Sequence, residues 1–332
     1  QLIIAPLLVA NIKDLKKIFS HQIFVGGLFC AMIVVMADYV GRKIIFGDDG
    51  SAAGNPLAVA QTGGLTIICA VMMTRMFKWD MLVKLLIVGF CLVAIIKSGS
   101  RGQLIALAFA LTVAFPFTYS IKNPKIVVAS GLFAVILAYG VFVGLDAFWG
   151  GTSGRYSTDA MSDDYSGRLE NVSRLVEAWL ANPAAIIFGL GNSASYDWDI
   201  NGFYPHMVPM EILTEEGILG ATLYVWVLAI VARDALFVMR RKTADRSESA
   251  PFAILIGIMA YLFLLSFQQG SMLSTSLFFM NIMLFTRAVA YQRRLEQREQ
   301  KESAAKESAA AEQTSTQRDY TIYARNYQSQ GH

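Results

Sequence analysis

Three side chains combine a useful chemistry with a position that could exploit it: His206, Arg101 and Arg168. His206 lies in residues 204–220, YPHMVPMEILTEEGILG, where the longest polar segment of the chain turns back into an apolar run. An imidazole with an unperturbed pKa of about 6.5 can take a proton near neutrality, which suits a general base. A lone histidine is more often a structural residue than a catalytic one. Glu211 and Glu215 follow four apart, on one helical face. They could orient the imidazole or an acceptor hydroxyl, or simply be acids favoured at a helix N-terminus.

Arg101 sits in the turn Lys97-Ser98-Gly99-Ser100-Arg101-Gly102 between two apolar runs. Glycines there let backbone approach a ligand, and a guanidinium can grip a phosphate through two parallel hydrogen bonds. The alternative is an interfacial anchor. Arg168 heads the stripe Val172, Leu175, Trp179 at helical spacing, so it should point toward the membrane-side cavity. Arg174, four after Glu170 on the other face, reads as a solvated charge pair or an auxiliary substrate contact. Arg155, in a Gly/Ser-rich stretch, could join the arginines.

Other constellations carry less. Cys30, Cys69 and Cys91 all lie in apolar runs without metal-ligand spacing and read as buried thiols. His21 sits beside lysines, and His332 ends the chain; neither is given a role. Asp163-Asp164 is a loop doublet with no obvious partner, Asp197-x-Asp199 is only a weak echo of a metal pair, and no glycine-rich nucleotide loop occurs. We expect no metal, no cofactor and no nucleic-acid partner.

These residues have to be held by membrane helices. The chain has 332 residues, is 55% hydrophobic and only 16% charged, and has a mean hydropathy of +0.47, too apolar for an ordinary soluble domain. The fold class expected is all-α: a polytopic helical membrane protein. A span needs about 20 mostly apolar residues. Beyond a partial span at 2–11, candidates fall at 22–40, 55–77, 80–97, 102–120, 125–146, 210–239, 251–268 and 271–291. Because the chain opens inside an apolar run, spans are expected to be missing before Gln1.

With residues 12–21 placed inside, only seven of the 28 Lys and Arg fall outside: Arg42, Lys43, Lys97, Arg101, Arg155, Arg168 and Arg174. The positive-inside rule favours that orientation. It puts all three lead residues on the outer face. The expected organisation is transmembrane helices over 1–146, an outer segment at 147–209, three further spans over 210–291, and a cytoplasmic polar tail at 292–332 that frays into disorder. Within the outer segment, WGGTSGRYSTDAMSDDYSG reads as loop, and 167–181 as an amphipathic helix with Leu169, Val172, Leu175, Val176 and Trp179 on one stripe. Asn182-Pro183 closes that helix, and Pro209 suits the first turn of the next.

Taken together, these residues resemble the O-antigen ligase / O-antigen polymerase superfamily. His206-Met207, nine residues and Gly217-Ile218-Leu219-Gly220 resemble its His-containing signature, with Met207 where Asn, Ser or Gln is usual. Ser166-Gly167-Arg168-Leu169-Glu170, Trp179, Pro183 and Gly189-Leu190-Gly191 look like its second segment, and Ser100-Arg101-Gly102 like its SRG turn. The likeness covers roughly residues 97–220.

The resemblance implies a glycosyltransferase of the bacterial inner membrane working at its periplasmic face. The donor would be a polyprenyl-diphosphate-linked glycan. The acceptor would be a sugar hydroxyl on lipid A core (ligase) or on another lipid-linked glycan (polymerase). His206 would be the base, Arg101 and Arg168 would hold the diphosphate, and Arg155, Arg174, Glu211 and Glu215 would contact substrate. Metal independence and inversion at the anomeric carbon are expected, since no carboxylate pair is placed for a covalent intermediate. The alternative is a transporter or flippase of lipid-linked glycan, which would more naturally carry internal repeats and broken mid-membrane helices. A structural scaffold would leave the His, Arg and Glu spacing unexplained.

Overall fold

The computed structural model describes residues 14–39, 56–75, 77–119, 132, 158–202, 205–240, 246–272 and 275–329. Among them there is helix and no strand. The long continuous apolar runs dictate this. A backbone in hydrocarbon has to satisfy its own hydrogen bonds, and an α-helix does so within one segment.

Among the described residues, four helices precede the long polar segment: α1 (Leu15–Tyr39), α2 (Pro56–Met72), α3 (Asp80–Lys97) and α4 (Arg101–Tyr119). The segment itself carries α5 (Thr158–Ala181), α6 (Pro183–Phe188) and a single 3-10 turn (Ala194–Tyr196). Then come α7 (Val208–Glu215), α8 (Gly217–Arg240), α9 (Arg246–Leu265) and α10 (Ser276–Ser329). The compact unit that holds the site comprises residues 1–285. Residues 286–332 form a second unit, described as helix as far as Ser329.

By length and composition, three described helices can cross a membrane: Leu15–Met36, Gly217–Arg240 and Glu248–Leu265. Leu57–Met72 and Arg101–Phe117 are shorter apolar helices. The candidate spans at 2–11 and 125–146 lie outside the described residues.

The core is built on α4, α9 and α2, which pack closely. Small residues permit the approach, as is usual where helices meet in lipid. Gly257 on α9 faces Ile68 and Ala114, and Gly64 on α2 faces the buried Tyr261 ring. The Tyr261 hydroxyl is hydrogen-bonded to Gln103 of α4, so the pair is also joined by a polar contact. At the other end of α2, Lys84 pairs with Asp80 at 2.8 Å and donates to the carbonyls of Met73 and Thr74 at 2.8 and 3.1 Å. The lysine thereby satisfies carbonyls that the helix end would leave open.

Two expectations are corrected. Residues 158–166, read as loop, are the first turns of α5. The single span expected at 210–239 is broken: α7 ends at Glu215 and α8 starts at Gly217. Gly217 has φ +68°, and a methyl group on it would overlap the Ile187 carbonyl. The break is where α6 packs against the chain.

Candidate functional site

The site is assembled around one short turn, Ser266–Met272, which follows α9. Arg168 of α5 donates from Nη1 to the main-chain carbonyl of Gln268 at 2.5 Å. Gly102, next to Arg101 at the start of α4, lies so close to the Gln268 side chain that any Cβ there would overlap its amide oxygen. The amide of Val208, two residues beyond His206, donates to the Ser266 carbonyl at 2.8 Å. Glu211 accepts from the Met272 amide at 2.8 Å. One turn of α9 origin thus touches the Arg101 turn, the Arg168 helix and the His206 segment.

Each contributor is fixed locally. Ser98-Gly99-Ser100 makes the turn into α4: Gly99 has φ +68°, and Ser98 Oγ returns to the Ile95 carbonyl at 2.6 Å. α5 is anchored by its apolar stripe. Val172, Leu175 and Trp179 are buried, and the Trp179 indole donates to the Ala185 carbonyl at 2.7 Å. Leu169, expected in that stripe, is exposed. Asn182 ends α5 and caps α6 by accepting from Ala184 and Ala185 amides at 3.1 and 3.4 Å.

His206 adopts φ +59° immediately before α7. That left-handed conformation is uncommon for a residue with a Cβ and recurs at functional sites. His206 is partly exposed. α7 then starts at Val208 with Pro209 in its first turn, as the sequence predicts.

The two glutamates part company. Both are buried, at 1% exposure. Glu215 receives Ser193 N at 2.8 Å on one oxygen and Ser195 N at 2.9 Å on the other. It therefore holds the loop after α6. Glu211 has one amide partner and little solvent, and burial pushes its carboxyl up to about 7; the Met272 amide opposes that shift, and Glu215 adds to it. Arg174 makes the exposed pair with Glu170, at 2.6 Å. Arg155 lies outside the described residues. Among the described residues, no three of His, Cys, Asp and Glu gather as metal ligands would.

The glycine motifs interlock. Leu190 N donates to Thr214 O at 2.9 Å and Gly191 N to Glu215 O at 3.0 Å. Gly189, at φ +84°, leaves no room for a Cβ against the Glu215 carbonyl. Two sequence segments twenty-odd residues apart therefore need their glycines for the same contact. Residues 85–225 match the family model described as O-Antigen ligase.

Over that segment the chain is similar to the O-antigen ligase family.

No curated protein and no solved structure matches the chain. The O-antigen ligase segment runs from within α3 into α8 and takes in Arg101, Arg168, His206, Glu211, Glu215 and the interlocking glycines. The Ser266–Met272 turn falls beyond it. Family and fold agree at a coarse level: an all-helical membrane protein of glycosyltransferase type. Gln268 and Ser266 were not legible as site residues. A polar turn between two apolar runs has no motif of its own, and its contribution is made largely through main-chain carbonyls, which every residue carries.

Proposed function

We infer that the protein transfers a glycan from a polyprenyl-diphosphate carrier to an acceptor sugar hydroxyl at the periplasmic face of the bacterial inner membrane. The observation that carries this reading is the attachment of the Arg168 helix, the Arg101 turn and the His206 segment to one turn, Ser266–Met272. Similarity to the O-antigen ligase family over residues 85–225 supports the reaction class.

In this mechanism the acceptor hydroxyl oxygen attacks the anomeric carbon and gives its proton to His206. The anomeric C–O bond breaks on the opposite side, and polyprenyl diphosphate leaves. One bond forms as one breaks, so the configuration inverts. Arg101 and Arg168 stabilise the charge gathering on the leaving diphosphate, the task a metal performs elsewhere. The Gln268 carbonyl accepts from Nη1 of Arg168 and so orients the guanidinium. Arg155, Arg174 and Glu211 serve the glycan; Glu215 serves it indirectly, through the loop it holds.

The test is reconstitution. Purified protein is given a lipid-linked glycan repeat with and without lipid A core. Chain elongation identifies a polymerase, and transfer to the core identifies a ligase. Movement of the lipid-linked glycan between leaflets without any new glycosidic bond would replace this reading with a flippase.

A further inference from the structure

The end of α5 and the first half of the connector that follows it show an apolar surface, and the acids Asp197 and Asp199 come only after it. Residues 178–196 contain no Asp, Glu, Lys or Arg. Within them, Leu180, Ile187 and Phe188 are 56%, 53% and 69% exposed. A connector facing water would present polar side chains at such positions.

Their depth is set by α8. Gly217, the first residue of α8, packs directly on the main chain of Ile187 and Gly189. Ile218 and Leu219, the next residues of α8, are likewise about half exposed. The exposed apolar surface then continues along α8 through Leu223, Val225 and Trp226. α8 is long and apolar enough to cross a membrane, and only 6% of its most apolar stretch is buried by protein. Ile187 and Phe188 therefore extend an apolar surface already suited to lipid.

The backbone of the same connector gives an independent sign. Irregular backbone persists beside hydrocarbon only where its polar groups are satisfied by protein. The loop after α6 meets that condition closely. Gly189 N bonds Ala185 O at 2.7 Å, Leu190 N bonds Thr214 O, and Gly191 N bonds Glu215 O. Ser193 N and Ser195 N both end on the Glu215 carboxylate. A loop surrounded by water needs no such provision.

We propose that α6, with Leu180, Ile187 and Phe188, is seated in the lipid leaflet at which α8 begins, as an apolar wedge in contact with acyl chains. The segment is thus an interfacial element rather than a water-exposed connector. The assignment does not depend on the reaction proposed above.

Spin labelling tests it. Nitroxides are placed by Phe188→Cys and Ile187→Cys in the full chain, in vesicles of phosphatidylcholine and phosphatidylglycerol. Cys30, Cys69 and Cys91 are buried, and the unsubstituted chain supplies the labelling background. Labels at 187 and 188 are expected to collide with dissolved oxygen more than with a water-soluble nickel chelate, matching a label at Leu223→Cys. A label at the exposed Glu177→Cys should show the reverse order. If the 188 label behaves like the 177 label, or is shielded from both reagents, the wedge is refuted. The unmodified protein provides a second measurement, free of substitution: a diazirine-bearing phospholipid should label the peptide containing Ile187 and Phe188 as well as α8. Labelling of α8 without that peptide would likewise overturn the proposal. Neither readout involves glycan transfer, so failure of the proposed reaction leaves this result untouched.

Discussion

The Arg168 guanidinium donates to the main-chain carbonyl of Gln268, 2.5 Å away and one hundred residues later. A planar guanidinium held by a carbonyl on one side keeps a fixed set of N–H groups on the other. Lysine in its place would reach the carbonyl or the diphosphate, as a point charge, with no defined fork. Arg168→Lys should lower kcat/KM for glycan transfer by about 10–100-fold, or roughly 1.4–2.7 kcal/mol of transition-state stabilisation. Helix content and detergent stability should stay near the parent values. Activity within a factor of two of the parent would remove Arg168 from the reaction.

Gly102 tests the same arrangement from the α4 side. Its missing Cβ is what admits the Gln268 amide. Gly102→Ala should displace Gln268 and disturb Arg168 with no direct change to any charged group. Gln268→Ala should relieve the overlap, so the double variant should be more active than Gly102→Ala alone. Transfer assays on the two singles and the double form a cycle; strict additivity would mean that the two sites are independent.

His206 can be probed without confusing chemistry and backbone. Its φ of +59° strains any residue with a Cβ, but Asn tolerates that region and Gly adopts it freely. His206→Asn and His206→Gly should therefore fold and thermally unfold much as the parent does. Both should lose glycan transfer by about 100-fold or more, in line with the loss of a general base. Retention of substantial transfer by the Asn variant would leave the histidine with a purely structural role.

The legible and illegible parts of the site divide along physical lines. Arg101, Arg168 and His206 could be selected because their side chains are unusual for their surroundings: charge or imidazole at the ends of apolar runs. α3, α4, the end of α5 and the start of α7 followed from apolar length, Asn182-Pro183 and Pro209. The break at Glu216-Gly217 was hidden, because a hydropathy window averages over it and the cause is a contact with Ile187. The helical start of α5 was also hidden, since helix propensity is weak beside tertiary context. Glu215 was read as a substrate contact because spacing gives the face of a helix but not the loop that lands on it. Gln268 gave no signal at all, since its carbonyl and its proximity to Gly102 do the joining.

Glu215 and Gly217 should carry much of the stability of the connector. Glu215→Ala would strand the Ser193 and Ser195 amides in a buried place, at a cost of about 1–3 kcal/mol for each unsatisfied group. Gly217→Ala would force a left-handed residue, costing about 1–2 kcal/mol before its overlap with the Ile187 carbonyl is counted. Both variants should unfold at lower temperature and expose residues 189–196 to proteolysis. Unchanged protection of that loop in Glu215→Ala would show that the carboxylate is not what holds it.

Glu211 gives the pH dependence. Its carboxyl is raised to about 7 chiefly by burial. A raised acid binds its proton more tightly in the folded state than in the unfolded chain. Between the unfolded value near 4.5 and about 7, unfolding releases a proton, so the Glu211 contribution to stability falls as pH rises through that window. Below it both states are protonated and no penalty applies; above it the penalty is complete. Glu211→Gln keeps an oxygen for the Met272 amide and removes the ionisation. The substitution should therefore stabilise the protein at pH 8 by about 1–3 kcal/mol relative to the parent and leave pH 4.5 nearly unchanged. Thermal unfolding of both proteins across that range measures the difference. A stabilisation equal at both pH values would mean that Glu211 does not titrate in this window, and that its burial is compensated by something other than its proton.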